Sequence, residues 1–287
     1  MKLQEKVFNI VLNIFMIFIG LIHILPVLNI LARSLSSVGM VAGGMVWFWP
    51  KNLNTTGWIY IIQRTSYLTS LMNSIMITTT GTIIALIVTI LSAYTLSHAN
   101  LKGRSIFIGI YVGIMIFSAG MLPIYFQIRS YGLLNTRWAL ILPTVVNPYY
   151  MFVLIKNLQN IPDSLEEAAL IDGANYTRIL YSVIIPVSKA GIATIAVFYS
   201  VNYWNKYFDA LLYITRQNLK PITLFLFELI KSTGMTEGRG EVDLISNMSV
   251  EIMQASGVVL TVLPILAIYP FMQKYFVKGT MEGAIKG

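Results

Sequence analysis

Long apolar runs decide what this chain can be. A hydrocarbon core roughly 30 Å thick is crossed by about 20 consecutive, mostly apolar helical residues. Runs of that kind lie at about 8–31, 70–96, 105–126, 138–156 and 257–276. A sixth and weaker run, at about 187–205, begins behind Pro186, a residue suited to a helix's first turn. It carries Lys189 near that end, where a long side chain reaches back to the interface. With 56% hydrophobic residues, 11% charged residues and a mean hydropathy of +0.71, the chain has too few charges to solvate a soluble globule. The expectation is an all-α, polytopic membrane protein of six transmembrane helices, forming one membrane domain over residues 1–287. Small residues inside the runs, such as Thr80-Gly81-Thr82, favour close helix packing in a bundle. No internal repeat is visible.

The first run, Val7 to Leu31, follows Lys2 and Lys6 as a secretory signal would. It is longer than a signal's apolar region and no small-residue cleavage site follows it, so it reads as a retained anchor helix. Six spans put both termini on one side. Lys and Arg divide evenly between the two sets of connecting segments, but the shorter set is the denser, and Lys102/Arg104 and Lys274/Lys278 flank spans closely. That gives modest support to a cytoplasmic N-terminus.

The formal charge of +8 is scattered between apolar runs, which fits anionic lipid headgroups better than nucleic acid. With no cysteine, disulfides, thiolate metal sites and a cysteine nucleophile are excluded. There is no G-x-x-x-x-G-K-[ST] phosphate loop, and Gly238-Arg239-Gly240 lacks the strand-to-helix setting of a nucleotide site. No nucleophile, base and orienting acid assemble by spacing, so no catalytic residue and no metal site are expected. His23, beside Pro26 in the first run, is expected to contact a neighbouring helix, and His98 falls in a turn on the cytoplasmic side.

Two connecting segments are long. The one at about 33–69 holds Val46-Trp47-Phe48-Trp49-Pro50 and then Trp58 to Tyr60, an aromatic density suited to the membrane interface or to a dock for an external partner. The other, at about 206–254, passes through a Gly-, Ser- and Thr-containing stretch, Ser232 to Gly240, that reads as a flexible loop.

The loop at about 158–186 is more specific. Ser164 with Glu167 three residues on has the form of a capping box, so a short helix is expected to start at Ser164. Ala168 and Ala169 keep one face thin, and Gly173 is placed to end the helix in a left-handed conformation. A second helix is expected from about Asn175 toward Pro186, burying Tyr176, Ile179, Leu180 and Val183 along one side. Two short helices meeting at a glycine make a stiff lever. Asp172 and Arg178 suit either a local ion pair or contact with another protein.

Glu167-Ala168-Ala169, three residues, Gly173, nine residues, Val183, one residue, Ile185-Pro186 resembles the EAA loop of ATP-binding-cassette importer permeases. In that pattern Val183 and Ile185 replace Ile and Leu. The resemblance extends to Ala139–Pro143, Ile171–Asn175, Tyr203-Trp204-Asn205 and Pro270–Gly279. It is nearest the maltose-type carbohydrate group and its oligosaccharide branch. It implies a permease subunit of a bacterial cell membrane importer with cytoplasmic termini, paired with a second homologous permease. It further implies an ATPase dimer that carries the ATP and Mg, and a solute-binding protein outside. On this resemblance Ser164, Glu167, Ala168, Ala169, Asp172, Gly173, Arg178 and Pro186 belong to a coupling helix seated on the ATPase.

A path for neutral sugars calls for amides and aromatic faces within apolar spans. Tyr199, Asn202, Tyr203, Trp204 and Asn205 form one such cluster, and Asn147, Tyr149 and Tyr150 another. Interhelical hydrogen bonding or an interfacial aromatic belt would use the same residues. Cargo of peptides or amino acids, or an ion-coupled secondary transporter, are the competing functions. The latter usually shows intramembrane acids and paired broken helices, which this sequence does not announce.

Overall fold

The computed structural model describes residues 2–117, 119–236 and 249–284, and every regular element among them is helical. In chain order these are α1 (Lys2–Ser34), α2 (Val38–Ala42), α3 (Thr56–Ile62), α4 (Thr65–Ser97), α5 (Arg104–Ile116) and α6 (Met121–Ser130). Then follow α7 (Trp138–Ile141), a 3-10 turn (Leu142–Thr144), α8 (Pro148–Leu158), α9 (Asp163–Ile171), α10 (Tyr176–Ile179), a π-turn (Leu180–Ile184) and α11 (Ile185–Val187). The chain continues through α12 (Lys189–Trp204), α13 (Tyr207–Tyr213), a second 3-10 turn (Gln217–Leu219), α14 (Ile222–Thr236) and α15 (Val250–Ala284). Arg239 and its flanking glycines lie outside the described residues, as do the side chains of Lys274, Lys278 and the rest of Pro270 to Gly279.

Among the described residues three stretches are long and apolar enough to cross a bilayer unaided: Glu5–Ser34, Thr65–Ser97 and Val250–Ala267. The count reaches six if each of three bent helix pairs is one span. The runs expected at 105–126 and 138–156 are two of those pairs, each interrupted, whereas the run expected at 187–205 is the unbroken α12, which forms the third pair with Tyr176–Val187 from the preceding loop. The first divides into α5 and α6 around Gly120, at φ +80°. The second bends by 49° between Trp138–Thr144 and Pro148–Leu158, where Pro148 cannot donate to the preceding turn. In the third, α12 begins at Lys189 and lies at 83° to Tyr176–Val187.

The described residues fall into two compact units. One comprises Met1–Leu68 with Phe225–Pro264. Its core gathers Ala32, Val41, Val46 and Ile252. Gly57 of α3 meets α15 so closely that a β-carbon would lie 2.6 Å from the Ser256 hydroxyl. The Ser256 hydroxyl donates to the Ser34 carbonyl at 3.4 Å, and the Trp58 indole N–H donates to the Ser34 hydroxyl at 3.2 Å. The most apolar part of α1 has none of its residues buried, and side chains such as Phe15 and Phe18 present a lipid-type surface on every side. His23 does not reach another helix: its Nδ1 lies 2.8 Å from the Ile19 carbonyl one turn back. Among the described residues that stretch of α1 packs against nothing, so the imidazole turns to its own backbone. Nearby, the Asn29 amide donates to the Trp47 carbonyl at 2.6 Å and holds the aromatic stretch, whose Trp47 and Trp49 rings stay exposed.

The other unit comprises Thr69–Leu224 with Ile265–Gly287. Here α4 and α12 approach through Gly81, where the Tyr203 ring fills the space a β-carbon would need. At the start of α4, Asn73 is buried, and its amide donates to the carbonyls of Asn218 (2.8 Å) and Lys220 (3.2 Å). Its Oδ1 accepts from Arg137 Nε (3.1 Å) and from a second guanidinium N–H (2.8 Å). One buried amide thus ties two connecting segments to a span, and all its hydrogen-bonding capacity is used inside a medium where an unpaired polar group is costly.

Candidate coupling and translocation sites

The lever between α8 and α12 is two helical legs joined by a tight turn. The first leg, α9, starts at Asp163 with Pro162 in the cap position and no side-chain cap bond. The capping box expected at Ser164 is therefore not formed. The Pro162 ring holds an extended backbone (φ −61°, ψ 131°), and Leu165 already donates to the Pro162 carbonyl at 3.1 Å, so Ser164 lies within the first turn. Asp163 and Glu166 supply negative charge to the positive end of the helix dipole instead.

The C-terminus closes as Gly173 predicts. Gly173 has φ +79°, its N–H donates to the Leu170 carbonyl at 3.0 Å, and the Ala174 N–H donates to the Ala169 carbonyl at 3.0 Å. That is the paired bonding of a Schellman turn, which satisfies carbonyls that the helix end would otherwise strand. Asn175 then caps the second leg, its side chain accepting from the Arg178 N–H at 2.8 Å. Beyond it, Tyr176–Val187 runs on through the π-turn at Leu180–Ile184, burying Ile179, Leu180 and Ile184. Tyr176, assigned by sequence to the buried side, is exposed. The extra residue of a π-turn shifts the inward face by one position, which is why Ile184 is buried and Val183 only partly so.

Of the lever residues singled out by sequence, Ser164, Glu167, Ala168, Asp172, Gly173, Arg178 and Pro186 are exposed and Ala169 is half-buried. Ile171 is 86% exposed, an apolar tip that none of the described residues covers. The inward face is held by residues that sequence reasoning passed over. The Tyr94 hydroxyl donates to Glu166 Oε1 at 2.8 Å, and His98 Nε2 lies 2.9 Å from the same oxygen. His98 Nδ1 lies 2.8 Å from the Tyr94 carbonyl, and its ring stands edge-on to those of Tyr94 and Tyr176. In sequence Glu166 reads as one of two interchangeable acids, and its partners stand 72 and 68 positions away. The available signal was the i, i+3 alignment of Glu166 with half-buried Ala169 on one face of α9.

The aromatic and amide candidates divide by burial. Tyr199, Tyr203 and Trp204 are buried on α12. Tyr199 shares a 2.8 Å hydrogen bond with the Thr89 hydroxyl and receives the Asn147 N–H at 3.3 Å. The Tyr203 hydroxyl donates to the Ile141 carbonyl at 3.2 Å. The Asn147 side chain caps α8 by accepting from the Tyr150 N–H, and Tyr150 stacks on Phe198 and meets Tyr199 edge-on. Asn202, Asn205 and Tyr149 are exposed. Past the end of α12, buried Lys206 pairs with Asp209 at 2.6 Å. Among the described residues no group of three or more acidic or histidine side chains is placed to hold a metal ion.

Residues 85–282 match the family described as binding-protein-dependent transport system inner membrane component. The chain is 35% identical to the polygalacturonan/rhamnogalacturonan transport system permease protein YtcP of Bacillus subtilis, over 99% of this chain and 100% of that protein. It is 36% identical to Protein LplC of the same organism, over 98% of this chain and 96% of that one. A crystal structure of a bacterial ABC transporter involved in the import of the acidic polysaccharide alginate contains a chain that superposes with a TM-score of 0.84 at 28% identity. The alignment covers 95% of this chain and 98% of that one.

Proposed function

The chain belongs to the family of binding-protein-dependent transport system inner membrane components, and from that premise we propose that it lines half the translocation path of an ATP-driven oligosaccharide importer. The observation that carries the reading is the lever at residues 163–187. Its Schellman turn at Gly173 gives it a defined tip, its outer face mixes acidic residues with Ala168 and an exposed Ile171, and it stands in the EAA register inside the region the family matches. A lever of that stiffness reports the movement of one body to another, whereas a flexible tether would absorb it.

On this reading the outer face of α9, with Ser164, Glu167, Ala168, Asp172 and Gly173, sits on a cytoplasmic ATPase, and Arg178 on the second leg joins it. Ala169 and Pro186 shape the lever. ATP and Mg act on that ATPase, and this chain does no chemistry of its own. Residues 1–287 act as one permease domain with both termini in the cytoplasm. A second, related permease supplies the other half of the path, and a solute-binding protein delivers cargo from outside. Of the path candidates, exposed Asn202, Asn205 and Tyr149 face the cargo, with Asn147 and Tyr150 behind them, while Tyr199, Tyr203 and Trp204 hold the wall in place.

A carbohydrate cargo is supported by the relative named for polygalacturonan/rhamnogalacturonan transport and by the structural neighbour involved in the import of alginate. The test is uptake by proteoliposomes carrying this chain with its partner subunits and binding protein. ATP-dependent uptake of oligogalacturonates or neutral oligosaccharides, and none of oligopeptides, is the expected result. Uptake driven by an ion gradient without ATP would refute the proposal.

A further inference from the structure

Two adjacent glutamates on α9 differ in exposure and in partners. Glu167, the acid of the EAA pattern, is exposed, whereas the Glu166 side chain is only 19% exposed and turned toward the end of α4. There a single carboxylate oxygen, Oε1, receives the Tyr94 hydroxyl at 2.8 Å and His98 Nε2 at 2.9 Å. His98 is itself held by its Nδ1 contact to the Tyr94 carbonyl at 2.8 Å. The imidazole also stands edge-on to Tyr176 at 6.3 Å between ring centres, so it touches the second leg of the lever as well.

Beside the clasp lies an open cleft of about 480 Å³ bordered by Tyr94, His98, Glu166, Leu170, Tyr176 and Ile184. The second leg packs Ile179, Leu180 and Ile184 inward, and the clasp adds directional, charge-assisted bonds that transmit displacement only while their geometry holds.

We propose that Glu166 is a positioning residue for transport, clasping the lever to the C-terminal end of α4 through Tyr94 and His98 so that a push on the lever moves α4 as well as α12. The inference rests on the permease reading and adds to it a second output for the coupling motion. The two legs of the lever already continue into α12 through the chain itself, and the clasp recruits a second membrane span that is distant in sequence. Glu167 faces out, so the two acids divide the work between partner and own chain.

The test uses the whole importer in proteoliposomes, with oligosaccharide transported and ATP hydrolysed measured together. The wild type is the control for the underlying reading: if it shows no ATP-driven uptake, the permease proposal has failed before the clasp is examined. Given a coupled wild type, Glu166→Ala is expected to retain the ATPase and hydrolyse ATP while moving about tenfold less cargo per ATP. Glu166→Gln keeps an acceptor oxygen for both donors and is expected to restore most of the ratio, and Tyr94→Phe to fall between. A wild-type ratio in Glu166→Ala, or a Glu166→Gln variant as uncoupled as Glu166→Ala, overturns the clasp. Should Glu166→Ala fail to assemble, a His98→Cys/Glu166→Cys pair in this cysteine-free chain decides the matter. Unbridged, it is expected to be as poorly coupled as a variant without the clasp, and bridging by a short, reducible bifunctional thiol reagent is expected to raise its transport per ATP. No gain on bridging sinks the proposal.

Discussion

The Tyr203 ring stands where a side chain on Gly81 would have to be, its Cζ 2.8 Å from the position of an added β-carbon. Gly81 is helical, so space rather than backbone conformation requires glycine there. Gly81→Val is expected to cost about 1–3 kcal/mol through overpacking, read as a lower unfolding midpoint in detergent. Adding Tyr203→Leu should return part of the loss, because the two positions compete for one volume. Simple additivity of the two costs would show that they do not.

Gly173 poses the opposite case. Nothing lies within 4 Å of its would-be β-carbon, but its φ is +79°. Gly173→Asn, a residue that tolerates this conformation, is expected to keep most uptake. Gly173→Asp keeps a similar shape and places a carboxylate beside Asp172 on the exposed tip; it is expected to abolish uptake in a chain that still reaches the membrane. Equal uptake by the two variants would remove the case for partner contact at the tip.

Asn73 fills four hydrogen-bonding roles at once, two as donor and two as acceptor. Asn73→Leu strands two carbonyls and a guanidinium, at roughly 1–3 kcal/mol for each group left buried and unpaired. Asn73→Asp preserves the acceptor for Arg137 but loses both donors, and should fall between. A melting midpoint unchanged by Asn73→Leu would show that water replaces the amide.

Cysteines at 202 and 205 test the cargo path. Both asparagines are exposed on one side of α12, and the chain has no cysteine of its own to confuse the signal. A charged, water-soluble maleimide is expected to label both positions, with oligosaccharide and binding protein slowing the reaction. Protection of both positions under all transport conditions would mean the amides face a packed interface.

Much of this architecture is legible in the residues, because hydropathy counts what a bilayer counts. The runs led by Val7 and by Ser70 coincide with α1 and α4, unbroken helices whose composition alone suffices. Breaks are less visible. A hydropathy window averages across this stretch, yet Phe117 is extended at the end of α5 and Gly120, at φ +80°, precedes α6. Pro148 was equally in view, but its effect depends on which carbonyl it fails to reach. At the lever, Gly173 could be read because only a few residue types suit its backbone. The start of α9 could not be: both Pro162 and Ser164 qualify as start signals, and the proline's fixed φ prevails. Tyr94 and His98 escape notice because nothing local links them to Glu166, and the contact exists only once α4 and α9 have been brought together.

On the proposed coupling, the near right angle between Tyr176–Val187 and α12 sets the direction in which work would leave the lever. Thrust along the arm would then arrive broadside to α12, so that the span leans instead of sliding like a piston. Leaning leaves the middle of a span almost still and swings its far end through the widest arc, and Asn202 and Asn205 lie at the end of α12 away from the arm.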